Sequence, residues 1–385
     1  MYTFCHRRSC DENISTVRRE ICHDYEHNES IGMFCHDLCK SNKMIIHECP
    51  NYFFHNGKEF VVTATWNGRK VILKSRNIKD ESDPFGSENH HIIDLKHFIR
   101  GLNDIMSSTF AFSLEKYNAA RFTSHDLIPW ENNSSLSSLN RTALVNLWLL
   151  AQDNEFILSK VLSTSNYTKN SIVFPHIVGT CGQFYLVEYA DEILDFSYIL
   201  PSSATSLAKP YYQRLSIAID LIDFLKRFES LNTGLQLCDV KFEHFGVFEN
   251  ENFTKRLLMI DSDMIYHKET AREAIAAIKD CNNDRDCDFV DCEGQCLTSD
   301  GSTYSFCQLN PLDNNLKRIC RNMLFMGKFN VMGYKTQLGL LPGAVGMEDQ
   351  LNEISKICLN DTFNMDDIDR LYKLLFNMRQ KIINK

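Results

Sequence analysis

Asp239 lies in the run Leu237-Cys238-Asp239-Val240-Lys241-Phe242-Glu243-His244-Phe245-Gly246, with a lysine two residues after it and a histidine five after it. A second acidic group, Asp261-Ser262-Asp263, closes a later short apolar run that ends in Met259-Ile260. Far upstream, Lys74 ends the run Val71-Ile72-Leu73-Lys74. A carboxylate beside an ammonium group, a second carboxylate for a cation and a remote lysine form the charge set that phosphoryl transfer needs. That reaction depends on positioning and charge neutralisation more than on covalent chemistry. Each residue alone has a plainer reading. Aspartates beside short strands cap turns, and a lysine in an alternating strand usually faces solvent. Their occurrence together, in this order, is what points to a site.

The intervening sequence supplies elements able to hold them. Met44 to Phe54, Glu59 to Trp66 and Lys70 to Ser75 read as strands, separated by His55-Asn56-Gly57-Lys58 and Asn67-Gly68. Asn-Gly is a strong hairpin signal. Ser124 to Asn140 is Ser/Asn-rich and reads as an exposed loop, and Asn140 to Leu162 has helical periodicity. That helix offers Glu155, in Asp153-Asn154-Glu155-Phe156, as a partner for Lys74. Ser171 to Val178 and Gln183 to Tyr189 read as two more strands, and a helix runs from Pro210 to about Phe228. Short strands at Phe245 to Phe248 and Arg256 to Ile260 precede a Cys-rich segment, and the chain beyond Cys320 reads as helical. A five-strand lobe with one helix, followed by a mostly helical lobe, is the layout of a protein kinase.

The 15 cysteines and the net charge of -9 bound the setting. An acidic chain argues against a nucleic-acid-binding surface. Cys5, Cys10, Cys22, Cys35, Cys39 and Cys49 form one group, and Cys281, Cys287, Cys292, Cys296, Cys307 and Cys320 another. Neither contains the C-x-x-C half-site common in zinc ribbons. Disulfide frameworks fit better and require an oxidising compartment. A reduced, buried cysteine is an adequate reading for an isolated one such as Cys238. Sequons at Asn13, Asn28, Asn132, Asn133, Asn140, Asn166, Asn252 and Asn360 agree with a lumenal setting. Met1 opens directly on polar sequence, so an upstream membrane anchor outside this chain is expected.

The chain resembles the divergent protein kinase domain 1 family, cysteine-rich kinase-like proteins held in the endoplasmic reticulum as type II membrane proteins. The resemblance rests on Cys35-His36-Asp37-Leu38-Cys39, Trp66 to Ser75, Trp148 to Phe156, Cys238 to Phe245, Ile260 to Met264 and Cys281 to Cys296. It implies an α+β, bilobal protein-kinase-like fold with a disulfide-rich N-terminal cap (1–43). An N-lobe (44–192) would carry an inserted loop at about 76–140, and a C-lobe (193–385) a Cys-rich insert at 280–320. It also implies ATP with Mg or Mn as cofactor and a lumenal protein or glycan as acceptor.

By that resemblance Lys74 holds the α/β-phosphates and Glu155 orients it, while Glu188 and Ala190 lie in the segment that cradles adenine. Asp239 is the base, Lys241 neutralises the transferring phosphate, and Asp261 binds metal, with His244 and Asp263 as further metal candidates. The sequence departs from the pattern in several places. His244 replaces the metal-binding Asn, Gly57 alone remains of the glycine-rich loop, and Cys238 replaces an arginine that reads a phosphorylated activation loop. Asp126 to Asn140 lacks the EF-hand spacing, so calcium is not expected there. These departures leave a catalytically inactive scaffold as the alternative. A small-molecule kinase fits less well, because Lys241 follows the base.

Overall fold

The computed structural model describes residues 3–47, 60–76, 95–110, 128, 139–164, 172–200, 206, 208–231, 234–249, 255–298, 305–331, 334–343, 346–361 and 364–384. The chain divides into two compact units. The first is built from the chain up to Tyr189, and the second mainly from Ala190 onward, with residues 109, 110, 172 and 173 joining the second.

The first unit opens with helices α1 (Thr3–Glu26) and α2 (Cys35–Cys39), then strands β1 (Met44–Ile46), β2 (Phe60–Trp66) and β3 (Arg69–Ser75). Asn67 and Gly68 turn β2 into β3 at φ 50° and 78°, the left-handed pair that a two-residue hairpin needs. Helices α3 (Leu95–Phe110), α4 (Arg141–Ala151) and α5 (Asn154–Thr164) follow, then β4 (Ile177–Cys181) and β5 (Phe184–Glu188). The sheet order is β1-β2-β3-β5-β4, antiparallel throughout.

Strand periodicity sorts the side chains onto two faces. Phe60, Val62, Ala64, Val71, Leu73, Phe184 and Leu186 point to one face and pack with Ile21, Phe34 and Leu38 of the N-terminal segment. Ile72, Tyr185 and Val187 point to the other and pack with Leu150 and Phe156. Two disulfides, Cys22–Cys39 and Cys35–Cys181, lie on the first face. Close approach there needs a residue without a side chain: a Cβ at Gly32 would lie 2.0 Å from the Thr180 carbonyl oxygen.

Three sequence expectations are corrected in this unit. Residues 3–26, expected only as part of the disulfide-rich cap (1–43), form α1, whose Ile14, Val17 and Ile21 supply a single narrow apolar stripe. The 76–140 stretch holds the 16-residue helix α3 rather than loop alone. The helix expected over Asn140 to Leu162 is two helices, interrupted at Gln152 and Asp153. Asn146, buried at 2% exposure, accepts from the Ile31 amide and donates to the Glu29 carbonyl, which fixes α4 beside the N-terminal segment.

The second unit contains β6 (Glu192–Ile193), α6 (Tyr211–Ser230), β7 (Leu235–Leu237), β8 (Phe245–Glu249), β9 (Lys255–Met259), β10 (Ile265–His267) and α7 (Lys268–Ala276). It continues with β11 (Gly294–Thr298), β12 (Ser305–Leu309), α8 (Asn315–Ile319), β13 (Gly327–Val331), β14 (Tyr334–Leu338), α9 (Glu348–Cys358) and α10 (Met365–Ile383). The hairpin β13–β14 corrects the all-helical expectation for the chain beyond Cys320.

Disulfides Cys281–Cys296, Cys287–Cys307, Cys238–Cys292 and Cys320–Cys358 tie this unit together. The two cysteine groups are therefore not closed sets. Cys181, Cys238 and Cys358 each supply a partner, and Cys238 is not a reduced core residue. Three sulfurs, of Cys281, Cys287 and Cys307, approach within the 4.8 Å that a metal could bridge. All three are committed to disulfides, so they are not thiolate ligands. No helix among the described residues is long and apolar enough to cross a membrane.

Candidate functional site

In the first unit, the pleat that sends Val71 and Leu73 to the cap face sends Lys74 to the other, opposite Tyr185 in register. Asp153 breaks the helical run and restarts it. Its Oδ1 accepts the backbone N–H of Glu155 at 2.9 Å and, more loosely, that of Phe156 at 3.4 Å. Its Oδ2 accepts the Tyr185 hydroxyl at 2.8 Å. Glu155 is thereby fixed in the first turn of α5, where the helix dipole favours a carboxylate. Lys74 Nζ donates to Glu155 Oε1 at 2.5 Å, with side-chain exposures of only 8% and 4%. A buried ion pair carries a heavy desolvation cost, so it is weak evidence for a purely stabilising role. Asp153 and Tyr185 are the residues that sequence reasoning missed here; the signal was an Asp one residue before Asn154-Glu155, a capping position.

In the second unit, β7 and β10 pair antiparallel and lead into and out of the Asp239 and Asp261 segments. Cys238 N–H donates to the Met264 carbonyl, and Ile260 N–H to the His244 carbonyl. The β8–β9 pairing, which opposes Phe245 to Met259, delivers Asp261 to His244. His244 is buried, and its Nδ1 donates to the Asp239 carbonyl at 3.1 Å. That bond leaves Nε2 facing two carboxylates, 3.9 Å from Asp239 Oδ2 and 3.9 Å from Asp261 Oδ2. Both separations exceed a direct hydrogen bond.

Asp239 Oδ2 accepts from Lys241 Nζ at 2.8 Å. Asp239 Oδ1 is buried and has no hydrogen-bond partner among the described residues. Burial acts to lower the Lys241 pKa, but the hydrogen bond and charge of Asp239, with Glu243 and Asp291 behind, raise it above the ordinary lysine value. Asp263 is half-buried two residues beyond Asp261; the carboxylates that flank His244 belong to Asp239 and Asp261.

The remaining expected positions are less specific. Glu188 ends β5, and its Oε2 accepts the His176 N–H at 3.2 Å, a structural use of the side chain. Ala190 is buried and opens the second unit. Gly57 and nearly all of Asp126 to Asn140 lie outside the described residues. The acidic residues of the Cys-rich insert accept backbone N–H groups: Asp284 from Cys296, Asp286 from Asn282 and Asn283, and Asp288 from Gly294.

Comparison with known proteins identifies the family. Residues 147–360 match the family model described as the protein-kinase domain of FAM69. Residues 1–101 match the one described as the N-terminal cysteine-rich ER region of FAM69. Among solved structures, the BubR1 kinase domain is similar at a TM-score of 0.40 and 10% identity, over 88% of this chain and 80% of that one. The resemblance read from the sequence is borne out: the chain has a protein-kinase fold and belongs to the FAM69 family of cysteine-rich, ER-associated kinase-like proteins.

Proposed function

We propose that this protein is a secretory-pathway kinase that binds ATP with a divalent cation and transfers a phosphoryl group to a hydroxyl of a lumenal protein or glycan. The observation that carries this reading is the buried Lys74–Glu155 pair at 2.5 Å, an arrangement suited to presenting an oriented ammonium to phosphate oxygens. The donor set of the second unit fits a divalent cation. Asp261 offers a partly exposed carboxylate and His244 a ring nitrogen facing it. Bound there, a metal would neutralise phosphate charge. Asp261 and His244 would hold it, with Asp263 as a reserve carboxylate. Asp239 accepts the proton of the acceptor hydroxyl, for which its unpartnered buried Oδ1 is available. Lys241 hydrogen-bonds the other oxygen and brings its positive charge beside the base.

His244 favours a second reading. Imidazole is a poorer ligand for Mg²⁺ than an amide oxygen, and a kinase fold with this exchange can serve as a binding scaffold without turnover. Incubating the protein, made in a eukaryotic secretory pathway, with ATP radiolabelled at its γ-phosphate and Mn²⁺ over a dephosphorylated secretome separates the two. Label transfer by wild type and not by Asp239→Ala supports the kinase. Nucleotide binding with no transfer above the Asp239→Ala level makes the scaffold reading correct.

Glycosylation and ER residence belong to the same proposal. Asn28 and Asn140 are exposed sequon positions, which supports it.

A further inference from the structure

The residue between the base and Lys241 has a backbone N–H that no strand partner takes up. Val240 N–H instead donates to Asp291 Oδ2 at 2.6 Å, a charge-assisted bond of the strong kind. Asp291 N–H donates to the Cys238 carbonyl at 2.8 Å, and the next residue, Cys292, is disulfide-bonded to Cys238. The dipeptide Asp291-Cys292 therefore grips the chain on both sides of Asp239, by a carbonyl and a sulfur before it and an amide after it.

The grip is itself held. Phe289 and Cys292 exchange backbone hydrogen bonds at 2.9 and 3.0 Å, closing a tight turn in which Val290 sits at φ 56° with half its surface exposed. A β-branched residue in that region is a genuine outlier, kept because both flanks are pinned. Arg321 donates to the Asp291 carbonyl at 2.8 Å and pairs with Glu293. Glu293 N–H donates to Asp313, whose carboxylate is paired with the fully buried Arg318.

We propose that Asp291 is a positioning residue of the catalytic loop, fixing Asp239 through Val240, so that the Cys-rich insert holds the loop in its working conformation permanently. This rests on the kinase reading given above. It goes beyond that reading in assigning the insert a role in catalysis and in removing the need for a phosphorylated activation loop, consistent with Cys238 in the place of an arginine.

Hydrogen exchange at the Val240 amide, together with steady-state turnover, tests it. In the wild type the Val240 amide exchanges as slowly as the amides of β7, and fast exchange there overturns the proposal without any variant. Asp291→Ala should deprotect Val240 and lower kcat about 10²-fold, the scale expected when a reacting group is misplaced by about 1 Å, with nucleotide affinity unchanged. Asp291→Asn keeps an oxygen that can accept the Val240 N–H, so it should restore protection and most of the turnover. A purely structural role would instead lower the melting temperature and weaken nucleotide binding along with turnover. Wild-type turnover and slow exchange that persist in Asp291→Ala overturn the proposal. Slow Val240 exchange lost in Asp291→Ala, with no turnover even in wild type, overturns the kinase reading and leaves the grip on the loop standing.

Discussion

Asp153 holds Tyr185 and Glu155 at once: one carboxylate oxygen accepts the Tyr185 hydroxyl at 2.8 Å while the other accepts the Glu155 amide at 2.9 Å. Tyr185 is also the register partner of Lys74. The sheet and the helix that carry the two halves of the ion pair are thus joined behind it by a single carboxylate, buried at 4% exposure. Phe156 completes the contact with its ring against Tyr185 at 5.5 Å.

Tyr185→Phe removes one hydrogen bond to a carboxylate and should cost about 1–3 kcal/mol in urea unfolding. Asp153→Ala removes the helix cap and leaves the tyrosine hydroxyl buried without that partner, for about 2–4 kcal/mol. It should also weaken nucleotide binding, because Glu155 is no longer fixed against Lys74. An Asp153→Ala protein as stable as wild type would show that the link carries no load.

The disulfides give a prediction independent of catalysis. Peptide mapping without reductant should recover Cys22–Cys39, Cys35–Cys181, Cys238–Cys292, Cys281–Cys296, Cys287–Cys307 and Cys320–Cys358. Cys35–Cys181 spans a sequence separation of 146, and replacing both cysteines by serine should cost about 2–5 kcal/mol. Alkylation of Cys181 or Cys238 in the unreduced, denatured protein would contradict the pairing.

Asp220 on α6 gives the chain a pH-dependent stability. Burial, then the neighbouring Asp223 charge, raises its carboxyl to about 6, against the pull of Arg379, Arg227 and Lys255. A carboxyl raised on folding binds its proton more tightly in the native state, so its stabilising share is complete below the unfolded pKa and lost as pH climbs through about 6. Asp220→Asn, permanently neutral, should therefore be more stable than wild type at pH 7.5 by about 2 kcal/mol. The advantage should vanish near pH 4. Equal stabilities of the two proteins across that range would refute the assignment.

In the proposed metal site, His244 should set the preference among cations. With an imidazole where an amide oxygen serves other kinases, Mn²⁺ should support nucleotide binding and turnover better than Mg²⁺. His244→Asn should restore use of Mg²⁺. Identical metal dependence in wild type and His244→Asn would mean that His244 only packs beneath Asp239 through its 3.1 Å bond to the carbonyl.

Much of this was legible in the sequence where a short-range rule was enough. The Asn67-Gly68 turn, the two-residue period of Val71 to Lys74 and the apolar face after Pro210 each encode their element locally. The Lys74–Glu155 pair and the nearness of Asp239 and Asp261 to His244 were expected from order along the chain. What escaped depends on contacts distant in sequence. Asp153 looks like a helix surface residue until Tyr185 is brought against it. Cys238 reads as a lone core cysteine, since disulfide connectivity does not follow from spacing. Asp291 carries no local signal in the sequence, and only the folded insert sets it against the Val240 amide. Helix α1 was missed because Ile14, Val17 and Ile21 are too few in a polar run to declare a face.

The central claim is that this protein binds a metal–nucleotide and that Asp261 is required for it. Calorimetric titration of a non-hydrolysable ATP analogue, with Mn²⁺ and then Mg²⁺, into wild type and Asp261→Ala tests it most directly. The account predicts saturable binding to wild type, stronger with Mn²⁺, and none to Asp261→Ala with either metal. Absence of binding to a folded wild type, or undiminished binding to Asp261→Ala, would contradict it.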